Sequence, residues 1–337
     1  MIYNRFTLSI VSLCFASLFS FASFSAAATT NAKHLPVLDR IVATVNREAI
    51  TESELENQAQ LLLLRLKQSD TPLPPMTELR QQLLERMILE KLQLQLAATE
   101  GIEIDDATLE QSMKEIAKRD GLTVHQMQQF LEEQGITPAQ FRQTIKTEMT
   151  LSRLQAKTVG QQITVSKAEV ENFLHSPAGH DQSGAEYHLG HILISPPNEE
   201  PSKQDIQQLE NRAGDLAKEL KNGANFSKLA IAKSAGQQAL TGGDLGWRKI
   251  GEIPSTFVKV VPTLKVGEVY GPIRDNSGFH IIKLLEKRNP ETQHASAETL
   301  RNKATEILYQ RKFDESLVSW LRHLRADSKV EIYLNET

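Results

Sequence analysis

The last alternating segment of the chain, Lys329-Val-Glu-Ile-Tyr-Leu334, follows a long helical stretch and has no strand-like neighbour beside it in sequence. A lone strand leaves its backbone donors and acceptors unpaired, so it must join another. The segment still lacking a partner is Asp39-Arg-Ile-Val-Ala-Thr-Val45, at the opposite end. If the two pair, both ends of the chain belong to one domain and part of what lies between them is an insertion.

The intervening sequence changes period once. From residue 51 to about 175 the apolar residues recur at helical spacing, as in Leu79, Leu83, Met87, Ile88, Leu92 and Leu96. Most of the helices open on a capping residue: Thr51 to Glu54, Thr123 to Gln126, Thr137-Pro138 to Gln140 and Ser166 to Glu169, with Asp105 or Asp106 opening another without the Glu or Gln three residues on. A hydroxyl or carboxylate at the cap and a Glu or Gln three residues on satisfy orphan backbone N–H groups. Thr71-Pro-Leu-Pro-Pro75 interrupts the array, because proline lacks the donor and restricts the residue before it.

After the turn-rich linker 175–184, Glu186 to Ser195 alternates as a strand. A helix over about 202–222 follows, then a start at Asn225, a Gly-rich turn at Thr241-Gly-Gly-Asp-Leu-Gly-Trp247, a short helix near 255–261, and a strand over 279–285. A second linker at 289–296 leads to a helix over 298–325. The expected fold class is α+β: an α-rich domain built from N- and C-terminal segments (29–185 and 289–337), with an α+β domain inserted at 186–288.

Residues 1–28 read as a secretory signal peptide: Arg5, then the apolar run Phe6 to Phe24, then Ser25-Ala-Ala-Ala28 with cleavage near Ala27 or Ala28. A membrane anchor is the competing reading, disfavoured by the serines and the alanine triplet. Cys14, the only cysteine, would leave with the signal, so the mature chain would carry no disulfide and no thiolate nucleophile. The expected location is the periplasm. A net charge of −4 and the lack of a basic block exclude a general nucleic-acid binder.

The run His191-Ile-Leu-Ile194, the Gly-Gly-Asp-Leu-Gly-Trp turn, Val266-Gly-Glu-Val-Tyr-Gly-Pro-Ile273 and Ser277-Gly-Phe-His-Ile-Ile282 occur in that order. Together they resemble the parvulin family of peptidyl-prolyl cis-trans isomerases over residues 186–287. With the helical array, the signal and the terminal strand, the larger arrangement is similar to SurA-type periplasmic chaperones. The resemblance implies paired catalytic histidines at His191 and His280, with Ser277 beside them. It implies a proline pocket walled by Leu245, Ile253, Phe257 and Phe279, with Trp247 in support. It implies no cofactor, and the sequence contains no phosphate-binding loop.

The chemistry needs no nucleophile. An X–Pro bond prefers trans by only about 0.5–1 kcal/mol, yet rotation is slow because it breaks amide resonance. Gly236 departs from the family pattern: it stands where active parvulins usually place Cys or Asp, which predicts weakened turnover. The expected partners are unfolded outer-membrane proteins and proline- or aromatic-containing peptides, with no nucleic acid and no stable membrane insertion. Two other readings stay open, a primary isomerase and a non-catalytic peptide-binding assembly factor.

Other patterns have plainer readings. His188 and His191, with His180 and Asp181 nearby, suggest a metal site, but opposite strand parity turns the first two to opposite faces, so no metal is expected. The five methionines beyond the signal, Met76, Met87, Met113, Met127 and Met149, all lie in the helical array. Such side chains suit a surface that accepts many apolar sequences, but filling of the core is the favoured reading for most of them.

Overall fold

The computed structural model describes residues 39–68, 72–133, 135–176, 185–196, 201–254, 256–288 and 297–334. The signal-peptide reading, His180 and Asp181 therefore lie outside the described residues.

The two chain ends do pair. Strand β1 (Ile41–Val45) turns through Asn46, at φ 56°, into β2 (Glu48–Thr51). Asparagine tolerates that left-handed conformation better than most residues. The last strand, whose core is Val330–Ile332, lies antiparallel on the other side of β1, with Ala43 opposite Ile332 and Val45 opposite Val330. Asn46 ties the turn to it, donating its N–H to the Lys329 carbonyl at 2.7 Å and accepting from the Lys329 N–H at 3.1 Å.

Helix α1 (Glu52–Gln68) starts where expected: Thr51 N–H donates to Glu54 at 2.9 Å, and Glu54 N–H donates back to the Thr51 hydroxyl at 3.3 Å. Val42, Val45, Ile50, Leu55, Leu79, Ile88 and Leu92 are buried where α1 and α2 (Met76–Thr99) cover the three-stranded sheet.

Residues Ile104–Met149 form a separate compact unit. It contains α3 (Asp106–Arg119), α4 (Val124–Glu133) and the first half of α5 (Pro138–Thr158). Asp105 caps α3 by accepting from Thr108 N–H at 2.8 Å, and the reciprocal Thr-to-Gln bonds at 123/126 and 137/140 start the other two. Its core is Leu109, Met113, Ala117, Met127, Leu131, Phe141 and Ile145. Met113 and Met127 are core fillers, and Met87 and Met149 are partly buried. Met76 is exposed.

The remaining residues belong to the same unit as the three-stranded sheet. Helix α6 (Lys167–Leu174) leads to β3 (Glu186–Ile194), α7 (Lys203–Lys221), α8 (Phe226–Lys233), β4 (Asp244–Lys249), β5 (Val269–Asp275) and β6 (Gly278–Arg288). Helix α9 (Ala297–Ala326) follows, and Val330–Ile332 is β7. The second sheet is antiparallel, in the order β4-β3-β6-β5.

Both faces of that sheet are covered, so its central strands read as near-continuous apolar runs. On one face Ile192, Ile194, Phe279 and Ile281 pack with Leu209, Ala213 and Leu216 of α7. On the other, Tyr187, Leu189, Ile282 and Leu284 pack with Ile253, Phe257, Val170 and Phe173 of α6, and Ala304 of α9.

The helix expected near 255–261 is not formed. Residues 256–260 are a series of turns, followed by a 3-10 turn at Val261–Thr263. Pro254 accepts from Phe257 N–H and Phe257 accepts from Val260 N–H, both at 2.9 Å. Pro262 has no N–H with which to extend a helix, so the segment stays tight and irregular. Among the described residues no helix is long and apolar enough to cross a membrane.

Candidate active site

His191 on β3 and His280 on β6 lie diagonally across paired strands: His191 is opposite Ile282 and His280 is opposite Leu193. Residues two apart on a strand share a face, so both rings point to the same side. The rings stack at 5.1 Å between centroids and 18° between planes, and His191 Nε2 lies 2.9 Å from His280 Nδ1. Phe257 meets both, at 5.8 Å from His191 and 5.5 Å edge-on to His280.

Glycines make this packing possible. Gly278 sits at φ 140°, and a Cβ there would fall 2.2 Å from the Ile194 carbonyl oxygen. At Gly243, φ 75°, a Cβ would fall 2.5 Å from the His191 carbonyl oxygen, while the Gly243 carbonyl accepts the His191 N–H at 2.8 Å. The Gly-Gly turn thus clamps β3 directly at His191.

The far side of His280 carries a residue that the sequence reading missed. Asp275 Oδ1 is 2.7 Å from His280 Nε2. Ser277 donates to the same oxygen from its backbone N–H at 2.7 Å and from its hydroxyl at 2.6 Å, and its Oγ also lies 3.0 Å from His280 Nε2. Asp275-Asn-Ser-Gly looks like ordinary turn chemistry, in which an aspartate bonds its own backbone two residues on. It does so here, and binds the histidine as well.

Electrostatics follow from this arrangement. Burial drives the His191 pKa far below the usual imidazole value, to about 3; the nearby His280 acts in the same direction and Asp275 opposes. Part of the residue still reaches solvent. For Asp275 partial burial pushes the pKa up, but the hydrogen bonds from His280 and Ser277 and the attraction of His280 outweigh it and hold the carboxyl at about 2. It is therefore ionised at neutral pH.

The other expected site residues divide. Ser277, Ile253 and Phe257 are gathered on the histidine side, with Leu245 partly buried in the same cluster. Phe279 is not: as the neighbour of His280 on β6 it points through the sheet into the opposite core, with Ile192 and Ile194. Strand alternation alone carried that signal. Trp247 is also elsewhere, stacked on His188 at 5.3 Å with the Arg288 guanidinium 4.1 Å above its ring. His188 bonds Asp244 at 2.8 Å, and among the described residues no group of three His, Cys, Asp or Glu side chains suits a metal.

Gly236 lies beside His191. Ala235 N–H bonds the Leu193 carbonyl at 2.8 Å, and the buried Ser234 hydroxyl accepts from Leu193 N–H and Gly236 N–H, each at 3.1 Å. A Cβ on Gly236 would stand 3.8 Å from His191 Nδ1. Helix α9 reaches two edges of the same region, with Arg311 donating to the Gly251 carbonyl and Arg322 to the Asn276 carbonyl at 3.3 Å.

A four-stranded antiparallel sheet with stacked histidines over an apolar floor, set in a helix-rich chain, defines a parvulin-type module within a larger α+β protein. Comparison with known proteins agrees: residues 191–286 match the family described as PPIC-type PPIase domain, and residues 38–155 match the SurA N-terminal domain. The chain is 36% identical over 313 residues to the chaperone SurA of Saccharophagus degradans, covering 92% of this chain and 72% of that protein. It is 44% identical over 262 residues to the chaperone SurA of Nitrosococcus oceani, covering 78% of this chain and 61% of the relative, and 40% identical over 271 residues to that of Chromohalobacter salexigens, again covering 61% of the relative. The chain belongs to the SurA chaperone family. It spans about three-fifths of the length of several of the relatives it matches.

Proposed function

We propose that the protein is a periplasmic folding factor that holds unfolded outer-membrane proteins and catalyses X–Pro rotation at the face formed by His191, His280 and Phe257. The export signal at residues 1–28, with cleavage near Ala27 or Ala28, belongs to this reading. So does the division into a helical domain made from both chain ends and a parvulin module at 186–288.

The observation that carries the catalytic part is the stacked histidine pair, hydrogen-bonded through to Ser277 and Asp275 and floored by Phe257. An apolar floor accepts a proline ring, and polar groups fixed beside it stabilise an amide twisted out of resonance better than either planar form. Leu245 and Ile253 extend the apolar wall, while Phe279 and Trp247 act through the packing of the sheet and its edge. Gly236 offers no side chain near His191 Nδ1, so turnover is slow relative to parvulins with Cys or Asp there. No cofactor enters the scheme.

The holding part rests on family membership and on the exposed Leu61, Leu64, Leu73 and Met76 of the helical domain. Outer-membrane precursors carry alternating apolar strands that aggregate when unpaired.

Two assays on the same preparation test the reading: suppression of aggregation of an unfolded barrel protein, and a proline-switch assay on a tetrapeptide. The expected result is strong holding with modest turnover that is lost in His280→Ala. Robust turnover without holding would leave a primary isomerase, and binding confined to one folded partner would indicate an assembly factor.

A further inference from the structure

We infer that Asp275 is a positioning residue that fixes the direction of every hydrogen bond in the His280–His191 pair. The inference rests on the proposed isomerase site and deepens it. A carboxylate only accepts, whereas a hydroxyl both donates and accepts. Ser277 alone, 3.0 Å from His280 Nε2, therefore leaves the tautomer of His280 undetermined. Asp275, 2.7 Å from the same nitrogen and ionised, admits only a proton on Nε2.

The consequence passes inward. With Nε2 protonated, neutral His280 presents a lone pair at Nδ1, so the contact at 2.9 Å is a donation from His191 Nε2–H. His191 Nδ1 is then the bare nitrogen, and it is the ring atom that a Cβ on Gly236 would approach, at 3.8 Å. A single carboxylate at the rim thus sets the acceptor in the pocket two rings away. Adding one proton to His280 reverses the inner bond, so that His191 Nε2 accepts and Nδ1 becomes a donor.

The charged groups around the carboxylate fit this role. Ser277 donates to it twice and the His280 N–H donates once. Glu315 of α9 is close enough to repel it, and Arg322 donates from one terminal nitrogen to the carbonyl of the adjacent Asn276.

The test is nitrogen-15 NMR of the histidine rings in the whole protein at pH 8, above the ordinary imidazole range. The wild type is expected to show His280 and His191 each as a single Nε2–H tautomer. Ser277→Ala, which leaves the carboxylate, keeps both. Asp275→Ala, and Asp275→Thr as a second variant with only an ambivalent hydroxyl, give a mixture of tautomers at His280, while kcat/KM for a proline tetrapeptide falls about tenfold or more. A wild-type proton on His280 Nδ1, or a single unchanged tautomer in Asp275→Ala, overturns the inference. Mixed tautomers with unchanged turnover overturn the positioning claim. A wild type with ordered tautomers and no turnover sinks the isomerase reading and leaves the hydrogen-bond assignment intact.

Discussion

His191 makes the protein sensitive to mild acid in a window of its own. In the unfolded chain the imidazole titrates near its ordinary value of about 6.5, while in the fold burial holds its pKa down at about 3. Between those values the unfolded chain binds one more proton than the native state, so stability is complete above the unfolded pKa and falls as the pH drops. One proton corresponds to about 1.4 kcal/mol per pH unit. Lowering the pH from about 6.5 to about 4.5 therefore removes about 2–3 kcal/mol through this residue. Asp275 does not contribute there: its depressed pKa supplies stability above its unfolded value of 3.8, which is lost only as the pH falls from there towards about 2.

The comparison variant is His191→Gln, whose amide N–H still donates to His280 Nδ1 but does not titrate. Urea unfolding followed by fluorescence of Trp247 and Trp320, both in the larger unit, gives stability at each pH. The difference between wild type and variant is expected to shrink by about 2–3 kcal/mol across the window. Parallel pH profiles would refute the argument, since other titrating groups are common to both proteins.

Four further outcomes follow from the same packing. Phe257→Ala removes a ring that is 1% exposed and touches both histidines, so it should destabilise the protein by about 3–5 kcal/mol in urea unfolding and abolish peptide turnover. Gly278→Ala places a Cβ against the Ile194 carbonyl at φ 140° and should lower thermal stability severely, whereas Gly214→Ala, with nothing within 4 Å of its Cβ, should not. Gly236→Cys restores a polar side chain beside His191 Nδ1 and should raise kcat/KM about tenfold in the tetrapeptide assay, provided Ser234, 3.2 Å from the new Cβ, gives way. Deleting residues 329–337 removes one of the two partners of β1 and the acceptor of the Asn46 N–H, and should speed amide hydrogen exchange at Asn46 and Thr44, whose N–H groups face that strand, more than at Ala43 and Val45, which face β2.

Much of this architecture was readable because its signals are local. Thr51, Asp105, Thr123, Thr137 and Ser166 announce their helices through bonds to residues three positions on, and those bonds form. The pairing of β7 with β1 was readable by elimination, since a lone strand cannot persist. What failed depended on context. The run at 256–261 is Thr-Phe-Val-Lys-Val-Val, mostly β-branched and closed by Pro262, so it settles into turns instead of the expected helix. Phe279 was placed in the pocket by resemblance although its adjacency to His280 puts it on the other face. Asp275 was hidden because its visible task, bonding Ser277 N–H, fully explains an aspartate in a turn. Its second bond depends on two strands meeting in space.

The central claim is that the histidine pair and its apolar floor turn over an X–Pro bond. Exchange NMR on a proline tetrapeptide with a catalytic amount of the whole protein tests it most directly. The account predicts cis/trans exchange faster than the uncatalysed rate of tens to hundreds of seconds, and a return to that rate in His280→Ala with the fold retained. No acceleration by the wild type, or equal acceleration by the variant, would contradict it.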